Sequence, residues 1–202
     1  MSFDQSIINV GNLRVGGTGK TPMIEYLVRL LLDDFRVGTL SRGYKRTTKG
    51  FVLANPQSTA EEIGDEPMQY YTKFERLIVT VDNDRVHGIG QLNKFLLKPD
   101  VILLDDAYQH RKVNAGLNIL LTSFDDLYSD DLMLPAGNLR ENRRGAKRAQ
   151  IIIVTKCPEI LGEDEQSEIK KQLKVEEDQL VFFAHGFPNE KGGRNPLIRI
   201  MN

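Results

Sequence analysis

Residues 7 to 21 read IINVGNLRVGGTGKT, and the order of residue types in this stretch decides the fold. A short β-branched run gives way to a glycine-rich loop, and Lys20-Thr21 opens a stretch with apolar residues at helical spacing. Strand, loop and helix in that order gather backbone N–H groups and a helix N-terminus around one point, where they can hold the phosphates of a nucleotide. Gly16, Gly17, Thr18 and Gly19 form the loop; Lys20 would reach the β- and γ-phosphates, and the Thr21 hydroxyl would ligate Mg²⁺. The common spacing, Gly-x4-Gly-Lys-Ser/Thr, requires glycine at position 14, where Arg14 stands. The first glycine is Gly11, three residues earlier, so the loop is a variant.

At 202 residues the chain is long enough to bury the core of one α/β domain. Its 27 basic and 28 acidic residues nearly cancel, so no global field steers it to nucleic acid. Cys157 is the single cysteine, which excludes an internal disulfide and suits a reducing compartment. No signal peptide and no eighteen-residue apolar span is present, so the chain reads as soluble with peripheral membrane contact left open.

Seven apolar runs recur along the chain, at 6–10, 37–40, 77–81, 101–104, 117–121, 151–154 and 180–183. Most are continuous rather than alternating, as strands buried on both faces of a parallel sheet are. Between the first two, Met23, Ile24, Leu27, Val28, Leu30 and Leu31 repeat at helical spacing, with Pro22 in the first turn. Further helices are expected over 65–74, 84–96 and 163–173. The alternation predicts a doubly wound, mostly parallel sheet with helices on both faces, and ligands gather beyond the carboxyl ends of such strands. The domain is expected to span 1–184, with 185–202 an irregular tail.

Chemistry-bearing residues fall at those strand ends. Asp105-Asp106 close the run VILLDD, where a carboxylate can approach a nucleotide's Mg²⁺. On extended backbone the two would point to opposite sides. His110, four residues on, could orient one of them or contact phosphate. Asp65, in Gly64-Asp65-Glu66-Pro67, is either a helix N-cap or the general base for a phosphoryl acceptor; spacing alone favours the cap. Arg42 follows the second strand, placed to grip a phosphate. Arg85 is either a charge stabiliser or an exposed helix arginine. The turn LPAGNLRE at 134–141 is uninformative by itself, Thr155-Lys156 stand where such folds often contact a base, and His87 and His185 show no partner.

In order, VGNLRVGGTGKTP, LSRGYKR, GDEP, VDNDRVHG, DDAYQH, LPAGNLRE and IIIVTK resemble the tetraacyldisaccharide 4′-kinases of lipid A biosynthesis, over residues 6 to about 157 and more loosely to about 184. The displaced first glycine is a feature of that family. The resemblance implies a P-loop NTPase-like fold. It also implies transfer of the ATP γ-phosphate to the 4′-hydroxyl of a tetraacylated disaccharide 1-phosphate, the lipid A precursor, at the cytoplasmic face of the bacterial inner membrane. Position by position, it assigns Lys20 and Thr21 to phosphates and Mg²⁺, Asp65 to the base, Asp105 and Asp106 to the acidic pair near the metal, and His110 to their support. Arg85 becomes a stabiliser of transferring charge, and Tyr44 a contact to glucosamine or its phosphate. Two features of the family are missing from the sequence, a hydrophobic N-terminal helix and a C-terminal segment bearing a histidine partner for the base, so the chain reads as truncated at both ends. The competing readings are a nucleotide-dependent switch or metallochaperone built on the same loop, and a non-catalytic nucleotide binder.

Overall fold

The computed structural model describes residues 5–186 and 198–201. β1 (Ser6–Asn12) leads through the glycine-rich loop into α1 (Lys20–Leu31). There follow β2 (Val37–Ser41), β3 (Val52–Leu53), α2 (Ala60–Ile63), α3 (Asp65–Lys73), β4 (Ile78–Val81), α4 (Arg85–Leu92) and β5 (Val101–Asp105). The remainder comprises β6 (Leu117–Ser123), β7 (Ile151–Thr155), α5 (Glu163–Leu173), β8 (Leu180–His185) and β9 (Arg199–Met201), with 3-10 turns at Tyr128–Asp130 and Arg143–Arg148.

The described residues divide into two compact units. The first takes residues 5–10 and 24–116, with strand order β3-β4-β2-β5-β1. All its pairings are parallel except β3 against β4. Both β2 and β5 are buried along their whole length, which is why their sequences run apolar without alternation. Ile7, Leu40, Ile89, Leu92, Ile102, Leu104 and Ala107 form a core cluster here. Phe51 and Phe95 pack against it edge to face, with ring centroids 6.1 Å apart. The buried Glu25 of α1 receives Lys73 Nζ at 2.5 Å and Gln69 Nε2 at 2.8 Å, joining α1 to α3.

The second unit takes residues 11–23, 117–186 and 198–201, with strand order β6-β7-β8-β9. β6, β7 and β8 are parallel, with Ile119 opposite Ile151 and Ile151 opposite Leu180, while β9 runs antiparallel to β8. Glu163, Asp164 and Glu165 open α5 and Lys170 and Lys171 close it, a distribution that suits the helix dipole.

All seven expected strands form, and the sheets are mixed but mostly parallel. The structure differs from the sequence reading in four places. Residues 199–201 of the expected irregular tail form β9, while 187–197 lie outside the described residues. β3 and α2, of two and four residues, are too short to show a period. α4 stops at Leu92, four residues early, because Lys94 N bonds back to Gln91 O in a tightened turn and leaves Leu96 98% exposed. Leu30, expected on the apolar face of α1, is 61% exposed.

Candidate functional site

In the second unit the chain after β1 runs first as an extra strand and only then as a loop. Arg14 pairs antiparallel with Leu139. On either side, Arg140 N donates to Leu13 O at 2.7 Å and Val15 N to Asn138 O at 2.9 Å. The chain then turns through Gly16 and Gly19, whose φ angles of +115° and +82° are open to glycine and strained for other residues. A side chain at Gly16 or Gly17 would meet open space, so this part of the loop presents bare backbone outward. α1 begins at Lys20. Arg14 therefore needs no glycine's freedom, because the wrap starts two residues later than the common spacing implies.

The end of β1 organises the loop through one side chain. Asn12, fully buried, donates from Nδ2 to Thr18 Oγ1 at 2.9 Å, and its Oδ1 accepts from Lys20 Nζ at 3.4 Å and from Arg140 Nη2. The Thr155 hydroxyl, 0% exposed, donates to Thr18 O at 3.0 Å and to Thr122 O at 3.1 Å. Thr155 thus buttresses the loop from β7, with its buried hydroxyl engaged on two main-chain oxygens. Asn12 was not singled out in the sequence, and Arg140 entered only as part of a turn that was uninformative by itself. Cys157, also buried, donates to Val154 O, and burial pushes its thiol pKa up to about 11.

In the first unit the acidic pair sits at the carboxyl end of β5. Asp105, 3% exposed, accepts a hydrogen bond from the buried Tyr70 hydroxyl of α3 at 3.0 Å. Asp106 is not on extended backbone as expected: its φ is +49°, a left-handed conformation that costs an L-residue roughly 1–2 kcal/mol. Arg85 is 1% exposed, which overturns the exposed-arginine reading. Its Nη1 donates to Asp82 O at 2.6 Å and its Nη2 to Asp105 O at 3.1 Å, tying the ends of β4 and β5 together. Burial lowers its pKa to about 10, against the pull of Asp105 and Asp106, so the guanidinium remains charged. His110 is pushed below the ordinary histidine value by burial and by the Arg85 and Arg42 charges, with Asp106 and Asp84 pulling the other way. Arg42, Arg85, Asp106 and His110, from three segments, thus share one electrostatic neighbourhood. A shallow basin of about 770 Å³, lined by Asn83, Asp84, Gln109, His110, Arg111 and Lys112, lies against it. His87, read in the sequence as unpartnered, sits 2.6 Å through Nδ1 from the buried Asp82 carboxylate, and Asp84 caps α4 through the N–H groups of Val86 and His87.

Asp65 opens α3, but the N-cap position belongs to Gly64 and the Asp65 side chain caps nothing. The cap reading, favoured by spacing alone, does not hold. The carboxylate is exposed. Gly64 (φ +96°) approaches the turn after β2 so closely that a Cβ on it would lie 3.1 Å from Gly43 Cα and 3.4 Å from Tyr44 N. This contact of main chains brings Asp65 beside the Arg42–Tyr44 turn, where Tyr44 is 73% exposed under the Lys45 ammonium. Among the described residues no group of three or more His, Cys, Asp or Glu side chains is placed to hold a metal ion. No helix among them is long and apolar enough to cross a membrane.

A family model described as LpxK, tetraacyldisaccharide-1-P 4′-kinase, matches residues 1–192. The chain belongs to this family. It is 61% identical over 184 residues to a tetraacyldisaccharide 4′-kinase of Flavobacterium johnsoniae, covering 91% of this chain and 54% of that protein. A protein of the same name from Bacteroides fragilis is 54% identical, with 91% and 49% covered. The chain thus spans about half the length of the curated relatives it matches. It is also similar to the crystal structure of LpxK from Aquifex aeolicus in complex with ATP, at TM-score 0.72 and 36% identity over 91% of this chain and 55% of that one. The structure of FlhF complexed with GTP and Mg²⁺ matches at TM-score 0.54 and 12% identity, covering 94% of this chain and 69% of that one, a likeness of fold alone.

Proposed function

We propose that the chain carries the phosphoryl-transfer half of a tetraacyldisaccharide 4′-kinase, moving the γ-phosphate of ATP to the 4′-hydroxyl of a tetraacylated glucosamine disaccharide 1-phosphate. The observation that carries this reading is the loop between β1 and α1, with backbone turned outward at Gly16 and Gly17 and Lys20 held by Asn12 at its end. Such a cradle fits a polyphosphate, since each N–H is a fixed donor that needs no reorganisation. The name shared by the relatives supports the acceptor, and the ATP complex of the Aquifex protein supports the donor.

The roles follow from the local chemistry. Gly16, Gly17 and Gly19 offer main-chain donors to the phosphates, Thr18 closes the loop with its N–H on Gly16 O at 3.2 Å, and Lys20 adds a cation. Thr21 is the hydroxyl the loop offers to Mg²⁺, and Asp105 the carboxylate offered by β5. An ion that keeps most of its waters and shares the nucleotide's oxygens needs no cage of protein ligands. When bound, Mg²⁺ would neutralise charge on the phosphates. Asp65, exposed at the start of α3, takes the proton from the acceptor hydroxyl. Arg42 and Tyr44, joined to it through Gly43 and Gly64, hold the sugar and its phosphate. Arg85 stabilises charge from its place on the Asp82 and Asp105 carbonyls, with His110 and Asp106 in the same electrostatic neighbourhood. The acceptor's acyl chains imply work at the surface of the inner membrane, on its cytoplasmic side.

Label transfer from γ-labelled ATP to the disaccharide 1-phosphate in mixed micelles tests the proposal, with Lys20→Ala as control. Labelled lipid that depends on Lys20 is the expected result. Tight ATP binding without transfer would leave only a nucleotide binder and overturn the kinase reading.

A further inference from the structure

Arg14 occupies the position where the common phosphate loop has glycine, and nothing in the transfer chemistry above uses it. Its side chain is 8% exposed, an unusual place for a guanidinium on a surface loop. It pairs with the Asp126 carboxylate and donates from Nη1 to Asp126 O at 2.9 Å. Its Nε lies 2.8 Å from Asp131 Oδ2, a charge contact rather than an aligned hydrogen bond. Asp131 in turn accepts from Leu132 N at 2.8 Å and Asn138 N at 3.1 Å, closing the turn that carries Asn138, Leu139 and Arg140. Those three residues are the ones whose backbones flank residues 13 to 15.

We infer that Arg14, with Asp126 and Asp131, is a latch that positions the phosphate loop by fastening residues 126–140 along it as a strap. The contacts form a relay. Arg14 holds the strap at Asp126 and Asp131, the strap delivers Arg140 to Asn12 Oδ1, and the same oxygen accepts from Lys20, while Asn12 Nδ2 holds Thr18. A residue that touches no phosphate therefore sets the placement of those that would. Its side chain leaves the loop on the face away from Leu13 and Val15, as alternation along the extra strand requires. A glycine at 14 would leave Asp126 and Asp131 without their cation and the first part of the strap without its tie to the loop.

The inference rests on the loop being a nucleotide site, and its test separates the two. ATP affinity is measured by calorimetry, together with the melting temperature, for the wild type, Arg14→Met, Asp131→Asn, the double variant, and Arg36→Met, which removes an exposed ion pair with Asp100 in the other unit. Wild-type binding is expected, with Arg14→Met weakened ten- to a hundredfold, Asp131→Asn about tenfold, the double variant no worse than Arg14→Met, and Arg36→Met unchanged. At saturating ATP the turnover of each binding-competent variant should stay within about twofold of wild type, because the latch acts on the loop and not on the transferred group. No binding by the wild type would overturn both readings. Wild-type binding with unchanged affinity in Arg14→Met or Asp131→Asn would overturn the latch alone, whatever the melting temperature does. If Arg14→Met does not fold, the nearly isosteric Asp131→Asn decides by the same criterion.

Discussion

The Tyr70 hydroxyl of α3 donates to the Asp105 carboxylate at the end of β5 across 3.0 Å, with both side chains buried. A neutral donor on a buried carboxylate keeps it oriented, and such a bond is worth roughly 1.5–3 kcal/mol. Tyr70→Phe should therefore raise the Mg²⁺ concentration needed for half-maximal transfer by about tenfold or more, while Asp105→Asn lowers turnover by orders of magnitude. A Mg²⁺ titration of label transfer checks both. Unchanged Mg²⁺ dependence in the two variants would reduce Asp105 to a polar end of a strand.

Lys20→Ala should remove most ATP binding, since one charge-assisted contact to phosphate contributes roughly 1.5–3 kcal/mol. Thr21→Ala should weaken binding in the presence of Mg²⁺ and leave metal-free binding nearly intact. Calorimetry with and without the ion separates them; equal losses in Thr21→Ala would argue against the hydroxyl as a ligand.

Asp65→Asn should leave stability nearly unchanged, because Gly64 and not Asp65 holds the cap position. It should lower transfer by about 10²–10⁴-fold, the range for loss of a general base. ATP affinity should stay as in wild type. Wild-type transfer in this variant would remove Asp65 from the chemistry.

His110 should remain neutral at pH 7, because burial and the charges of Arg85 and Arg42 hold its pKa below the ordinary value. The unfolded chain then binds this proton more readily than the folded one. Stability should fall as pH drops below the ordinary histidine pKa of about 6.5 and level off once the folded pKa is passed. His110→Asn should flatten that limb of a melting temperature against pH curve. Identical acid limbs in the two proteins would mean the ring titrates freely.

The strands were legible because β2, β5 and most of β7 are buried on both faces and must be apolar throughout. The loop was legible because its residues are consecutive. What stayed hidden depends on long-range pairing: Arg140 reaches Asn12 across 128 positions and Tyr70 reaches Asp105 across 35. His87 meets Asp82 over only five residues, yet a strand end and a helix start intervene, so neither period reveals it. Asp65 was misread on spacing because an aspartate after glycine resembles a cap until the φ of Gly64 shows which residue holds that place.

The contact between Gly43 and Gly64 has no side chain in it, so no change of rotamer can relieve it. Whatever seizes Tyr44 therefore takes the first turn of α3 along with it. With the roles proposed for Tyr44 and Asp65, recognition of the sugar and delivery of the base would become a single motion, and a small molecule that merely tilts the tyrosine turn would put the Asp65 carboxylate out of line without ever touching it.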